Sequence, residues 1–364
     1  MYKTGELVAQ RIESYCRTWR LWIENAEGVI SGDSIMSADS SMQATSLSDD
    51  IELGAVCSQS WNMTISATET AFLGKEYDTY LYLVDYETSG ILSDEKIPMG
   101  RFTCVKSKKS GGSVQLTMAD RLYFSDKSYV PHIPMPNWNK AVEDDICRQL
   151  GLQNGNDYTE VRLLRDKNGR RLIDKNGKVL YSKYFYFKVS SVPKDVTMRQ
   201  MLSYLSSAQG QFGYVDRYGK YVRKWYGKSV KTLDNNTIDL PTLSERQNAI
   251  VGIICKVSDD VTLSLGVTDT TRGRVLEFEN PYMTESLLQS LWRRIGGFSW
   301  YTTCLLYTEL YHRLGDPRFD IGDVVTYTNG ADSYDIPITN LGFTFDGGLS
   351  ADISAVGLSV EEQL

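Results

Sequence analysis

Short runs with an apolar residue at every second position, broken by glycine turns, dominate both ends of this chain. In YCRTWRLWIENAEGVI, residues 15–30, Trp19, Leu21 and Ile23 fall on one face, so the stretch reads as a strand. TYLYLVDYE, 79–87, alternates in the same way. KIPMGRFTCVKSKKSGGSVQLTMADRL, 96–122, reads as a hairpin turning at Gly111 and Gly112. Period-two alternation sends successive side chains to opposite faces, which commits such runs to sheets. A polar stretch rich in Ser and Asp, SADSSMQATSLSDD at 37–50, precedes IELGAVCSQSWNMTIS, where two strand-like runs flank Gly54. That makes about six short strands in the first 120 residues, the density of a barrel or sandwich.

The middle changes character. NWNKAVEDDICRQLG, 137–151, predicts a helix with Val142, Ile146 and Leu150 on one face and Gly151 at its end. DVTMRQMLSYLSSAQG, 195–210, predicts a better one: Thr197 and Gln200 form a capping box, and Met201, Leu202, Leu205 and Ala208 make an apolar stripe that reads as core. QFGYVDRYGKYVRKWY follows as a hairpin over a DRYG turn. Strands then return in NAIVGIICKVSDD, VTLSLGVTD, GRVLEFENPYM and TTCLLYTELYHR, and continue through VVTYT and IPITNLGFTFDGGLSADISAVGL. One helix interrupts them, TESLLQSLWRRIG, 284–296, with Glu285 at its start and Arg293 and Arg294 at its end, as the helix dipole favours. The expected fold is mainly β (α+β): a β-barrel domain over 1–120, an inserted α+β domain over 121–225, and a second antiparallel β-barrel domain over 226–364. Helix 284–296 is expected to pack on the middle domain.

Composition excludes several classes. Hydrophobic content of 41% and charged content of 23% suit a globular protein. No apolar run is long enough to cross a bilayer, so no membrane insertion is expected. The polar N-terminus lacks the apolar core of a signal peptide, which points to assembly in the cytoplasm. Six cysteines are scattered without a CxxC pair, and only His132 and His312 could assist them, so reduced buried thiols are expected rather than a zinc site. A net charge of −7 argues against stable nucleic-acid binding; the one basic cluster is KSKKS, 106–110, at a hairpin tip. The 23 Tyr and 7 Trp favour a β-rich assembly protein.

Catalytic and cofactor motifs are missing from the sequence. GKYVRKWYGKS has the wrong glycine spacing for a phosphate-binding loop, and neither DKNG copy in 165–180 has calcium-loop spacing; both read as hairpin turns. No GxSxG, HExxH or GxGxxG occurs. His132 sits among prolines and His312 within a strand, each without a partner motif. The densest carboxylate cluster is GDPRFDIGDVVTYT, 315–328, with Asp316, Asp320 and Asp323. Asp316–Pro317 and Gly322–Asp323 are turn signals, Arg318 can pair with Asp316 or Asp320, and Phe319 and Ile321 alternate inward, so the stretch reads as two turns leading into a strand. No catalytic, cofactor-binding or metal residue is expected, and no enzyme.

The order of these segments resembles phage tail baseplate hub proteins. GDPRFDIGDVVTYT followed by PITNLGFTFDGGLSADISAVG is similar to the end of that family, on Gly315, Asp316, Pro317, Gly322, Asp323, Pro337, Ile338, Thr339, Gly347, Gly348 and Gly357. Upstream, Asp50, Ile51 and Gly54 resemble its early strand pair, and Ala119, Asp120, Asp126 and Tyr129 the exit from its first barrel. TMRQMLSYLSSAQGQFGYVDRYGKYV resembles its middle domain, whereas the DKNG turns depart from it. The resemblance implies two tube-like β-barrels per chain and a homotrimer whose six barrels match a sixfold tail tube or distal tail protein on one side. A threefold spike or tip protein meets the other side, and DNA passes through the lumen without stable binding. It implies a virion tail location in a phage, prophage or phage-tail-like particle. The chain stops just after the last matching motif, so no appended hydrolase or receptor-binding activity is expected. Two other readings stay open: a host-surface carbohydrate-binding tail protein, which the aromatics allow, and a tail-associated cell-wall hydrolase.

Overall fold

The computed structural model describes residues 1–364 except 14–17, 48–49, 68–70, 86–89, 159–160, 164–172, 174–176, 178–180, 184–185, 235–242, 245–246, 308–314 and 358–364. The DKNG turns, apart from Gly177, and His312 lie outside the described residues.

Helix α1 (Glu6–Glu13), which the sequence pattern did not announce, buries only Val8 and Ile12. Strands β1 (Thr18–Asn25), β2 (Gly28–Ile30), β3 (Ile35–Gln43), β4 (Ser60–Ser66), β5 (Glu76–Val84), β6 (Ile97–Ser110) and β7 (Ser113–Ala119) follow. Of the stretch 15–30, expected as one strand, the described part 18–30 is a hairpin, because the Asn25 side chain accepts from the Glu27 and Gly28 amides and turns the chain. Trp19, Leu21 and Ile23 are buried together as the alternation predicts. The polar SADSSMQ is β3: Ala38, Ser40 and Met42 point inward between exposed Asp39, Ser41 and Gln43. Of the two runs around Gly54, only the second forms a strand, β4. Residues 51–57 are a buried connection, tied down where the Gly54 amide donates to Gln211 O (2.9 Å) and Gly213 donates to Ala55 O (2.8 Å).

The two ends of the chain share one ten-stranded sheet. Its order is β2-β1-β5-β6-β7-β4-β3, then Asn340–Phe345, Leu349–Ala355 and Thr303–Tyr307. The junction is antiparallel, with Asn340 opposite Gln43 and Thr344 opposite Asp39. Among the described residues no pairing closes this sheet on itself. Below it run the side chains of Trp61, Leu116, Met118, Phe343 and Ile353, all within 1% of complete burial.

The middle holds α2 (Asn139–Leu150), ended by Gly151 in the left-handed region, and α3 (Met198–Ser207). The capping box is formed: Thr197 Oγ1 accepts from the Gln200 amide (3.1 Å) and Gln200 Oε1 from the Thr197 amide (2.9 Å). The hairpin Phe212–Val215/Lys220–Lys224 packs beside α3. Helix α4 (Glu285–Ile295) buries Leu288, Leu291 and Ile295, and its Arg294 donates to Gln209 O (2.9 Å) just beyond α3. Ser229–Asp234, Val324–Asn329 and Asp332–Pro337 form one further sheet and strands around Asn248–Lys256 another; Val161–Leu163 with Tyr181–Lys183, and Asn137–Trp138 with Lys188–Val189, make two-stranded pairs.

Candidate assembly surface and the corner behind it

The outward face of the ten-stranded sheet is built by register. One row crosses six strands: Lys106, Thr117, Asn62, Asp39, Thr344 and Ser350 stand opposite one another in turn. A second row carries Lys108, Gln115, Thr64 and Ser37, and Ser60 faces Ser41. Further along, Gln43, Asn340 and Ser354 align, and Gly342 meets Asp352. Hydroxyls and amides fill these rows; the charges are Lys106, Lys108, Asp39 and Asp352. Asn62 Nδ2 donates to Asp39 Oδ2 (3.1 Å) and Asn340 Nδ2 to Ser354 Oγ (3.0 Å), so neighbours satisfy one another within the face. Over these six strands the rows carry no aromatic side chain, the kind of group that most often anchors tight protein contacts; toward β5 and β1 the same face turns aromatic, with Trp22 opposite Tyr80 and its ring 5.0 Å from that of Tyr82. The alternation that makes it was visible in the sequence of β4 and β7 but hidden in β3, whose inward positions include Ser40.

The carboxylate cluster sits at a corner where distant segments meet. Asp316 accepts from Arg318 Nε (2.9 Å) and Nη2 (2.8 Å) and from Lys231 Nζ (3.0 Å). Arg318 also donates to Glu13 at the end of α1 (2.6 Å). Asp320 pairs with Arg217 (2.6 Å), which reaches Pro98 O on β6 (3.1 Å). Asp323 pairs with Lys224 (2.7 Å) and the Met1 amine (2.7 Å), and accepts from the Asp320 amide (3.0 Å). Burial alone would raise the Asp316 carboxyl; the hydrogen bonds from Arg318 and the Lys231 charge outweigh it and hold the group down at about 2. Asp323 is likewise lowered, against burial, chiefly by Lys224. Each carboxylate thus has its own cation and is committed to structure. Phe319 and Ile321 are buried, and Val324–Asn329 is the strand that the sequence predicts.

The glycines fit the same corner. Gly315 donates to Leu349 O (2.7 Å), which joins Asp316 and Pro317 to the final hairpin. Gly322 has φ +75°, and a Cβ there would lie 2.5 Å from the Phe212 ring. Gly347 and Gly348 make the tight turn between Asn340–Phe345 and Leu349–Ala355, with Asp346 N donating to Gly348 O (3.1 Å).

Two other expected positions mark the exit from the first seven strands. Asp120 accepts from Ser58 Oγ (2.8 Å), Gln59 N (2.8 Å) and Leu122 N (2.9 Å), and burial pushes its carboxyl up to about 6 despite those bonds. Gly54, at φ +80°, presses on α3: a Cβ would sit 2.6 Å from Ser203 O. His132 lies in a loop, its amide held by Asp145 (3.0 Å). Cys57, Cys104, Cys147 and Cys255 are buried free thiols. Among the described residues no group of His, Cys, Asp or Glu is arranged to hold a metal ion, and no helix is long and apolar enough to cross a membrane.

No protein-family model matches the sequence, and no curated protein is similar to it in sequence. Solved structures are similar over almost the whole chain. The tail protein from Neisseria meningitidis MC58 superposes with a TM-score of 0.54 at 10% identity, covering 93% of this chain and 96% of that one. This is the fold of phage tail proteins. The 43 kDa tail protein of prophage MuSo2 from Shewanella oneidensis shares it, with a TM-score of 0.51, 11% identity and the same coverage of 93% and 96%.

Proposed function

We propose that this chain is a structural hub of a tail baseplate, in a phage or phage-tail-like particle, with the hydroxyl- and amide-lined sheet face as the wall of its channel. That face is the observation that carries the reading. Along these rows it is broad, polar and weakly charged, so a polyanion can move over it without being held. In this reading residues 1–120 and 226–364 act as two tube-like β-barrel domains joined edge to edge through the Asn340–Gln43 junction, with 121–225 as the insertion. Three copies close a ring of six such domains. The ring meets a sixfold tube or distal tail protein on one side and a threefold spike or tip on the other. Gly54 and Asp120 lock the first domain to the insertion, and the corner of Gly315, Asp316, Pro317, Gly322 and Asp323 locks the second. Gly347 and Gly348 shape the hairpin beside the junction. The role is mechanical, without catalysis or cofactor, in a virion tail assembled in the host cytoplasm.

Light scattering behind a sizing column tests the ring. The reading expects three times the chain mass of 41.1 kDa; a monomer at every concentration, alone and mixed with tube and spike proteins, contradicts it.

A second reading has one observation in its favour. Trp138 and Tyr186, 48% and 39% exposed, meet edge to face at 6.1 Å, with Lys188 Nζ 5.6 Å from the Trp138 ring centre, an arrangement on which a host-surface sugar could stack. Glycan-array binding lost in Trp138→Ala would favour it.

A further inference from the structure

The basic tip KSKKS is unused by the corner and by the core, and its geometry is specific. β6 runs to Ser110, and from Lys106 onward its outer side has no partner strand among the described residues. Cross-strand pairing fixes which face each side chain takes. Lys106 stands opposite Thr117 and Lys108 opposite Gln115, both on the hydroxyl-lined face, whereas Ser107 and Lys109 stand opposite the buried Leu116 and Val114. Lys106 and Lys108 are exposed and have no carboxylate partner among the described residues, unlike Lys96 with Glu24 (2.8 Å) and Arg101 with Asp78 (2.6 Å) nearer the start of β5 and β6. Across the same row the charge reverses at Asp39. The face therefore has a cationic margin and an acidic interior.

We infer that Lys106 and Lys108 form a phosphate-contacting margin on this face, which touches the backbone of duplex DNA transiently. The inference rests on the face being the channel wall. A lysine offers a point charge without base readout, so the contact is independent of sequence. Two such contacts per chain release few counterions, which keeps binding weak and quickly lost as salt rises. Asp39 and Asp352, farther along the face, repel the same backbone, so the face beyond the margin is covered by the duplex without adding hold of its own.

The test is fluorescence anisotropy of a labelled duplex of about 30 base pairs, titrated with protein between about 20 and 200 mM salt. The parent protein is compared with Lys106→Ser/Lys108→Ser and with Lys194→Ser/Lys228→Ser, an equal charge change at exposed sites off this face. Weak, salt-sensitive binding is expected for the parent and the control. Over that tenfold salt range each should lose about 60-fold more affinity than the Lys106→Ser/Lys108→Ser protein, the effect of about two lost phosphate contacts. Equal loss in both variants, or no binding by the parent at the lowest salt, overturns the inference. Lysines also blunt exposed sheet edges. If they do only that, Lys106→Ser/Lys108→Ser self-associates with DNA affinity unchanged, which equally overturns it. A thiol at Asn62→Cys, mid-face, separates the two layers of the argument. Duplex that shields this thiol from maleimide while ignoring the lysines sinks the margin and leaves the channel wall standing. Lysine-dependent binding that leaves the thiol open removes the channel wall, and the margin with it.

Discussion

Replacing Asp316 by Asn should destabilise the protein mainly through what it strands. Asp316 is 4% exposed and Arg318 6%, and the carboxylate accepts two guanidinium bonds and one from Lys231. Its carboxyl, held at about 2 against an ordinary 3.8, contributes about 2 kcal/mol near neutrality. The amide keeps one acceptor but loses the charge, leaving Arg318 with only Glu13, itself largely exposed, as a counter-charge. Breaking a buried pair from one side costs about 3–5 kcal/mol, and the surviving Glu13 contact places this variant near 3 kcal/mol. The sign with pH follows from the depressed carboxyl. Its contribution is complete above about pH 4 and declines as the unfolded chain takes up the proton while the folded one still excludes it, falling to about half by pH 3 and vanishing below the folded value of about 2. Urea unfolding of parent and Asp316→Asn should therefore differ by about 3 kcal/mol near pH 7, and the gap should narrow by about 1 kcal/mol near pH 3. Equal stability at neutrality, or a gap that does not change with pH, would refute the claim that this corner is held by buried charge.

Other consequences are direct. Gly322→Ala forces a side chain into the left-handed region and onto Phe212, and should lower stability by about 2–4 kcal/mol in the same assay. Asp120 runs opposite to Asp316: with its carboxyl raised to about 6, its favourable contribution is complete below about pH 4 and is lost as pH rises through 6. Relative to Asp120→Asn, the parent should therefore lose up to about 3 kcal/mol between pH 4 and 7, and unfolding curves at the two pH values check it. Thr197→Ala removes the α3 cap and should cost about 1 kcal/mol, read as a shifted urea midpoint.

Where the local code was strong, the sequence could be read directly. The α3 capping box, the 97–119 hairpin and the DRYG turn needed only neighbouring residues, and they form as read. Strand β3 was illegible because its inward side chains are Ala38, Ser40 and Met42; Ser40 belongs in the core only because its hydroxyl accepts from the Phe343 amide (2.8 Å), 303 residues away. The apolar run 51–57 looked like a strand and is instead a buried connection, its shape set by α3 pressing on Gly54. For GDPRFDIGD the turns were legible, but Lys231, Arg217 and Lys224, which neutralise its carboxylates, lie on other elements that no spacing rule connects to it. The polar face is likewise a property of register between strands from both chain ends, so it appears only once Asn340 is set against Gln43.

A cryo-electron microscopy reconstruction of the protein assembled with tube and spike proteins would show which way the hydroxyl- and amide-lined face points. The expected map shows a threefold ring in which Thr117, Asn62, Asp39 and Thr344 line the central pore, with the GDPRFDIGD corner inside the ring wall. A reconstruction in which that row faces outward, or is covered by a protein partner, contradicts it.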